Sequence, residues 1–221
     1  MSLDHDFSLK SGERQTGKSI EEIRRDHVAR YELALDFLKS TRKRVELGLD
    51  IFAGTGYGAW LLASALNCHI WAIDGSREAV TFGETYFNHP AVLLAAKIFP
   101  FTLPPDTFDF ICCFESMEHV RDEELFLTTI CGSLKSRGFL FLSMPNQDLL
   151  PLDPARHRYH FRHIHHQEFI ERLRTTYPSL VLLDWFGQNV YNGENHALQA
   201  AEMNCFSKQE GQFLIFTLQK L

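Results

Sequence analysis

The sequence predicts a doubly wound α/β fold built on a mostly parallel sheet. Three observations carry this expectation. Strand-like and helix-like segments alternate from Val45 to Ser143, the signature of βαβ units. Phe108 to Phe114 is a near-continuous apolar run, as expected of a parallel strand covered on both faces. A glycine-rich turn, Gly54-Thr55-Gly56-Tyr57-Gly58, follows a strand-like segment and opens a helix-like one.

The first eighteen residues are polar and read as a loose N-terminal segment. From Ser19 to Lys39, apolar residues at Ile20, Ile23, Val28, Tyr31, Leu35 and Leu38 follow helical spacing. Ser19 is the expected N-cap, with Glu21 and Glu22 at the positive end of the helix. Val45–Ile51 reads as the first strand and Tyr57–Leu66 as a helix. His69–Asp74 is the second strand, and Ser76–Phe87 a helix capped by Ser76. Ala91–Leu94 and Phe108–Phe114 follow as strands, then a helix over Glu123–Leu134. Lys135-Ser136-Arg137-Gly138 reads as a turn into a strand over Phe139–Ser143. Beyond Pro145, proline, histidine and arginine accumulate up to His166. Gln167–Thr176 then reads as a helix, with strands over Leu180–Phe186 and Gln212–Leu218. A length of 221 residues suits one domain, here 19–221, with 145–166 as a distinct inserted segment.

Composition excludes several classes. The net charge of −6 disfavours an electrostatic grip on a nucleic-acid backbone, and Arg42-Lys43-Arg44 reads as a solvated strip. The five cysteines form no C-x-x-C pair, so neither a structural zinc site nor a disulfide framework is expected. The N-terminus shows no apolar signal region, and no run approaches the length of a membrane span. A cytoplasmic protein, off the membrane, is the expectation.

The glycines let the backbone turn sharply and approach a ligand that a Cβ would exclude. Asp74 closes the second strand, 20 residues beyond Gly54 (74 − 54). An acid there can accept hydrogen bonds from both hydroxyls of a ribose. The full G-x-G-x-x-G pattern of a dinucleotide site is missing, because position 59 is alanine. Asp50 would repel a pyrophosphate but suits a cationic amino-acid moiety. The pattern therefore favours S-adenosylmethionine over a nicotinamide cofactor.

Phe108-Asp109-Phe110-Ile111-Cys112-Cys113-Phe114-Glu115-Ser116-Met117-Glu118-His119-Val120 resembles the fourth-strand motif of class I S-adenosylmethionine-dependent methyltransferases, in particular the small-molecule group of ubiquinone-biosynthesis type. Leu134-Lys135-Ser136-Arg137-Gly138 and Ser143-Met144-Pro145-Asn146 look like the segments that follow it, so the resemblance runs from about Arg44 to Pro145. It implies a Rossmann-like seven-stranded sheet whose last strand is antiparallel. It also implies that Asp50, Ala53, Gly54, Gly56 and Phe114 face the methionine end of the cofactor. Asp74 would hold the ribose, and Gly75, Ser76, Lys97 and Ile98 would flank the adenine. Two positions depart from the family: Phe52 stands where glycine is usual, and Ala96 where an acid often contacts the adenine. These departures raise the alternative of a degenerate binding or regulatory module.

Arg156 to His166 is rich in histidine. Metal binding is not expected, because no carboxylate or cysteine recurs there at ligand spacing. His160-Phe161-Arg162-His163 resembles an acceptor-side segment of the family, which would turn His160 and Arg162 toward the substrate. The acceptor pocket would be completed by the N-terminal helix and the loop near Asn189 to His196. His119 and then His160 are the candidate general bases, with Glu118 orienting the histidine. The expected function is methyl transfer to a small molecule or a glycan, on oxygen.

Overall fold

The computed structural model describes residues 6–192, 197–199 and 203–221. Its strands are β1 (Leu47–Ile51), β2 (His69–Asp74), β3 (Val92–Ala96), β4 (Phe108–Phe114), β5 (Leu134–Pro145), β6 (Leu180–Gln188), β7 (Phe206–Ser207) and β8 (Phe213–Lys220). They form one sheet in the order β3-β2-β1-β4-β5-β8-β6-β7. The first five strands run parallel, and β8 lies antiparallel between β5 and β6. The sheet has one strand more than expected: β7, a two-residue edge pairing with β6. A strand this short carries no periodicity for sequence reasoning to detect.

Helices α1 (Arg25–Ser40), α2 (Tyr57–Leu66), α3 (Arg77–Tyr86), α4 (Glu123–Ser133) and α5 (His166–Thr175) flank the sheet. The apolar run of β4 serves both layers. Ile111 and Cys113 join the cluster that contains Phe126 of α4 and Phe169 of α5. Phe110 and Cys112 join the cluster that contains Leu38 of α1 and Leu62 of α2. All seven β4 residues are buried, which is why the strand shows no polar alternation. Each such aromatic or aliphatic side chain contributes about 1.5–3 kcal/mol through burial.

Strand order reverses at β1, which has β2 on one side and β4 on the other. This opens a crevice at the carboxyl ends of β1 and β4, the place where such sheets bind ligands. Ser76 caps α3 as expected, accepting from the Ala79 amide at 3.1 Å.

Two local expectations are corrected. The helix expected from Ser19 begins only at Arg25. A 3-10 turn over Ile20–Glu22 precedes it, Ile23 is extended, and Ser19 makes no side-chain cap bond. The turn expected at 135–138 lies within β5 as an outward bulge. Leu134 pairs with Phe108 and Phe139 with Phe110, so these four residues face Asp109 alone. Lys135 bonds the Asp109 carboxylate at 2.9 Å across the bulge. The N-terminal segment has a 3-10 turn at Leu9–Ser11 and lies with Phe7 over Gly75 and Arg14 against Asp74. Its first five residues and the 193–196 part of the expected acceptor loop lie outside the described residues.

Candidate active site

A cavity of about 550 Å³ opens at the crevice, within the range typical of small-molecule sites. Ala53, Gly54, Asp74, Gly75, Lys97, Ile98, Phe114 and His119 line it, as does Phe52. Asp50, Gly56, Ser76, Glu118 and His160, also expected at the site, are not among its lining residues.

The three glycines of the turn have different roles. Gly54 has φ +57°, and a Cβ there would meet nothing nearer than the Arg14 Cγ at 4.0 Å. Its amide donates to the Asp74 carboxylate at 2.9 Å, bringing the turn onto the end of β2. Gly56, with φ +77°, leaves room for Leu94. At Gly58 a Cβ would stand 2.0 Å from the Tyr31 ring, so this glycine serves the packing of α2 on α1. Phe52 takes φ +59°, which explains why a glycine suits that position. Its ring leans on Phe126, centroids 5.6 Å apart, and forms part of the cavity wall.

Asp74 is buried, and its carboxylate is fully engaged. It accepts from the amides of Gly54 and Ser76 at 2.9 and 2.8 Å. Arg14 of the N-terminal segment adds a two-pronged contact, with Nε and a terminal nitrogen each 2.9 Å from Oδ1. Phe7 of the same segment covers Gly75. The cavity thus has an N-terminal roof that local patterning did not reveal.

Asp50 turns away from the cavity. Both carboxylate oxygens accept from the Tyr31 hydroxyl, at 3.0 and 3.1 Å. Burial raises its pKa to about 7. Tyr31, not Asp50, lines the cavity there, and its ring stands edge-on to Phe114 at 4.9 Å. Beside it lies Arg30, 1% exposed, whose terminal nitrogens make no hydrogen bond among the described residues. They stand 3.8 Å from Glu115 and 3.5 Å from Asp26. Glu115 has φ +48° and accepts from the Ser143 hydroxyl at 2.7 Å. Burial raises its pKa, an effect that Arg30 opposes.

At the opposite wall, His119 sits in a short 3-10 turn after β4 (Met117–His119). Its Nδ1 lies 3.3 Å from the Tyr159 carbonyl, and its Nε2 lies 3.8 Å from Glu13. His160 stands edge-on to it at 4.7 Å, behind the cavity wall. Glu118 is buried beneath, and desolvation followed by repulsion from Glu115 raises its pKa well above the usual range. Neither of its carboxyl oxygens makes a hydrogen bond among the described residues, so it does not hold His119 in place. Arg162 also departs from the expectation. It donates to the Val120 and Arg121 carbonyls at 2.7 Å and pairs with Glu123, fastening the segment in place of facing the cavity.

The sequence reading missed Glu13, Arg14, Arg30 and Glu115. The first two lie in a polar stretch without periodicity, and Arg30 lies within a helix otherwise read for its apolar face. Glu115 was inside the quoted motif, and its following Ser-Met-Glu-His run was the available signal.

Comparison with known proteins places this geometry. A family profile described as a methyltransferase domain matches residues 22–191. Two Mycobacterium tuberculosis proteins, described as probable S-adenosylmethionine-dependent methyltransferases Rv3030 and MT3114, are 28% identical over 108 residues. That alignment spans 49% of this chain and 38% of each relative's length. Among solved structures, an S-adenosylmethionine-dependent methyltransferase from Thermotoga maritima superposes with a TM-score of 0.60 at 17% identity. The match covers 89% of this chain and 92% of that one. The N-methyltransferase NodS from Bradyrhizobium japonicum, in complex with S-adenosyl-L-homocysteine, gives 0.62 at 15% identity over 99% and 94% of the two chains. With most of its length matched by the family profile and this sheet order, the chain belongs to the methyltransferase-domain family and has the class I fold of the S-adenosylmethionine-dependent enzymes.

Proposed function

We propose that this chain transfers a methyl group from S-adenosylmethionine to an oxygen of a small-molecule or glycan acceptor. The observation that carries the reading is the Asp74 carboxylate, held at the cavity wall by the Gly54 and Ser76 amides. The cavity's groups suit this cofactor. Asp74 accepts from the ribose hydroxyls, and Gly54 admits the backbone's close approach. Lys97 and Ile98 flank the base. Arg30 and Glu115, of opposite charge and 3.8 Å apart, match an amino-acid zwitterion: the guanidinium takes the carboxylate and Glu115 the ammonium. The unsatisfied Arg30 nitrogens supply donors for the former. When bound, S-adenosylmethionine supplies an electrophilic methyl group on a sulfonium.

The residues of the chain then have three tasks. Phe114 and Tyr31 present an aromatic wall that excludes water. The N-terminal roof, through Phe7 and Arg14, encloses the site. His119, on the acceptor wall, is the place where an acceptor hydroxyl gives up its proton. No helix of the described residues is long and apolar enough to cross a membrane, and a cavity of about 550 Å³ with an aromatic lining favours a small acceptor over an extended surface.

One observation favours a second reading, a binding module without catalysis: Arg14 already occupies the carboxylate that the ribose needs. Release of S-adenosyl-L-homocysteine in the presence of phenol, carboxylate and glycan acceptor panels separates the two. Turnover with any oxygen acceptor supports the enzyme. Tight cofactor binding with no product above blank across the panels supports the binding module and overturns the enzyme reading.

A further inference from the structure

The acceptor wall contains a second set of groups with a chemistry of its own. Glu13, His119 and His160 each bring one ligand atom to a common point, with these atoms all within 4.8 Å of one another. Ligands held about 2.0–2.2 Å from a single ion lie roughly 3–3.5 Å apart, so a small inward movement of side chains completes the triangle. The carboxylate that the histidine-rich segment lacks is delivered by the N-terminal roof, out of reach of any spacing rule.

The hydrogen bonds behind the histidines set their tautomers. His163 Nδ1 lies 2.6 Å from the Leu150 carbonyl, which can only accept, so Nδ1 carries the proton. His163 Nε2 then accepts from His160 Nδ1, 2.9 Å away, which leaves the lone pair of His160 on Nε2. In the same way, the Tyr159 carbonyl fixes the proton of His119 on Nδ1 and its lone pair on Nε2, the atom 3.8 Å from Glu13. A metal-bound imidazole commonly donates its other nitrogen to a carbonyl or a further acceptor in this manner.

We propose that Glu13, His119 and His160 form a binding site for a divalent first-row metal ion of the Zn²⁺ class, with two imidazoles and one carboxylate as ligands. Glu13 and His119 line the cavity, so the open coordination positions face the acceptor. The ion joins the N-terminal roof to the acceptor wall and closes the cavity. Its use in catalysis rests on the methyl-transfer reading: an ion on His119 Nε2 would replace that imidazole as the group that draws the proton from an acceptor hydroxyl; the binding of the ion does not rest on that reading.

The test uses full-length, chelator-treated protein without cofactor. Co²⁺ is titrated while visible ligand-field absorption is recorded, and Zn²⁺ affinity is read by competition with a chromophoric chelator. The expected result is one ion per chain, with E13Q and H160Q each weakening binding at least about tenfold, the lower bound for disturbing a metal's supporting groups. The exposed His165, paired with Asp148, serves as the control, and H165Q leaves the affinity unchanged. Uptake below one ion per chain overturns the proposal. So does binding that E13Q leaves untouched, since Glu13 lies on the surface segment and its variant keeps the core intact. S-adenosyl-L-homocysteine calorimetry on the same samples reports whether the cavity is formed. Metal loss with retained cofactor binding sinks the metal site alone.

Discussion

The two ends of the cavity are built by different means. At the cofactor end, Gly54 and Asp74 stand at the tips of neighbouring parallel strands, β1 and β2, whose register is continuous from Leu47 with His69 to Ile51 with Ile73. A fixed number of residues therefore places one functional group against the other. At the acceptor end, His119, Tyr159, His160 and Glu13 come from a short turn, an irregular segment and the N-terminal roof. Nothing periodic connects them; backbone carbonyls and ring contacts hold them together. The first arrangement is set by strand register, whereas the second is set by contacts between irregular segments.

This contrast is broken most directly at His119. H119A is expected to lower the rate of methyl transfer by about 10²–10⁴, the usual range for losing a general base, while cofactor affinity changes less than about twofold. Single-turnover rates together with calorimetry check this. Equal losses in both would show that the two ends are not separable.

Arg14 joins the two ends, since it comes from the roof and binds the cofactor-end carboxylate. R14A frees Asp74 and is expected to tighten S-adenosylmethionine binding about three- to tenfold, equivalent to about 0.7–1.4 kcal/mol. Calorimetry reads the sign. Weaker binding would mean that Arg14 clamps the cofactor and does not compete with it.

Asp50 sharpens the cofactor end. Its folded pKa, about 7, exceeds its ordinary value of 3.8 because burial disfavours the charge. The unfolded chain therefore releases this proton first as pH rises. The associated stability is complete below about pH 4 and is lost as pH climbs through about 7. Denaturant midpoints should fall between pH 5 and 8 in the wild type, and D50N should flatten that slope. An unchanged slope would remove Asp50 as its cause.

The smallest effect is expected at Phe52. Replacing it by glycine relieves a left-handed φ worth about 1–2 kcal/mol but removes a ring packed on Phe126. Truncating a fully buried Phe costs about 3–5 kcal/mol, which partial burial brings to about 2–3 kcal/mol, so F52G should be destabilised by about 1 kcal/mol in chemical denaturation. A stabilised variant would show that strain outweighs packing there.

How far the sequence could be read follows the same division. The bounds of β2, β4 and α2 and the cap at Ser76 were legible, because period, apolar run and capping chemistry are local. The glycine turn and the acid closing the second strand brought Gly54 and Asp74 together in the sequence, and the structure brings them into contact. Asp50 was misplaced because nothing local revealed that Tyr31 would claim its carboxylate. Glu118 and His160, expected to line the site, are not among the cavity's lining residues; in the tight turn after β4, Glu118 is buried while the adjacent His119 faces the cavity. Arg14 and Glu13 were invisible, because a polar segment without periodicity carries no signal of the surface it will cover. The bulge at 135–138 was mistaken for a turn because glycine and positive φ, here at Arg137, accompany both.

The central claim is that Asp74 at the tip of β2 holds the sugar of a sulfonium nucleoside. Titration calorimetry of S-adenosyl-L-homocysteine into wild type and D74A tests it at a single pH and salt concentration. The account predicts saturable one-to-one binding to the wild type and at least about 100-fold weaker binding to D74A, because two hydrogen bonds to a charged group contribute about 1.5–3 kcal/mol each. Equal affinity in the two proteins, or no binding to the wild type at millimolar ligand, would contradict it.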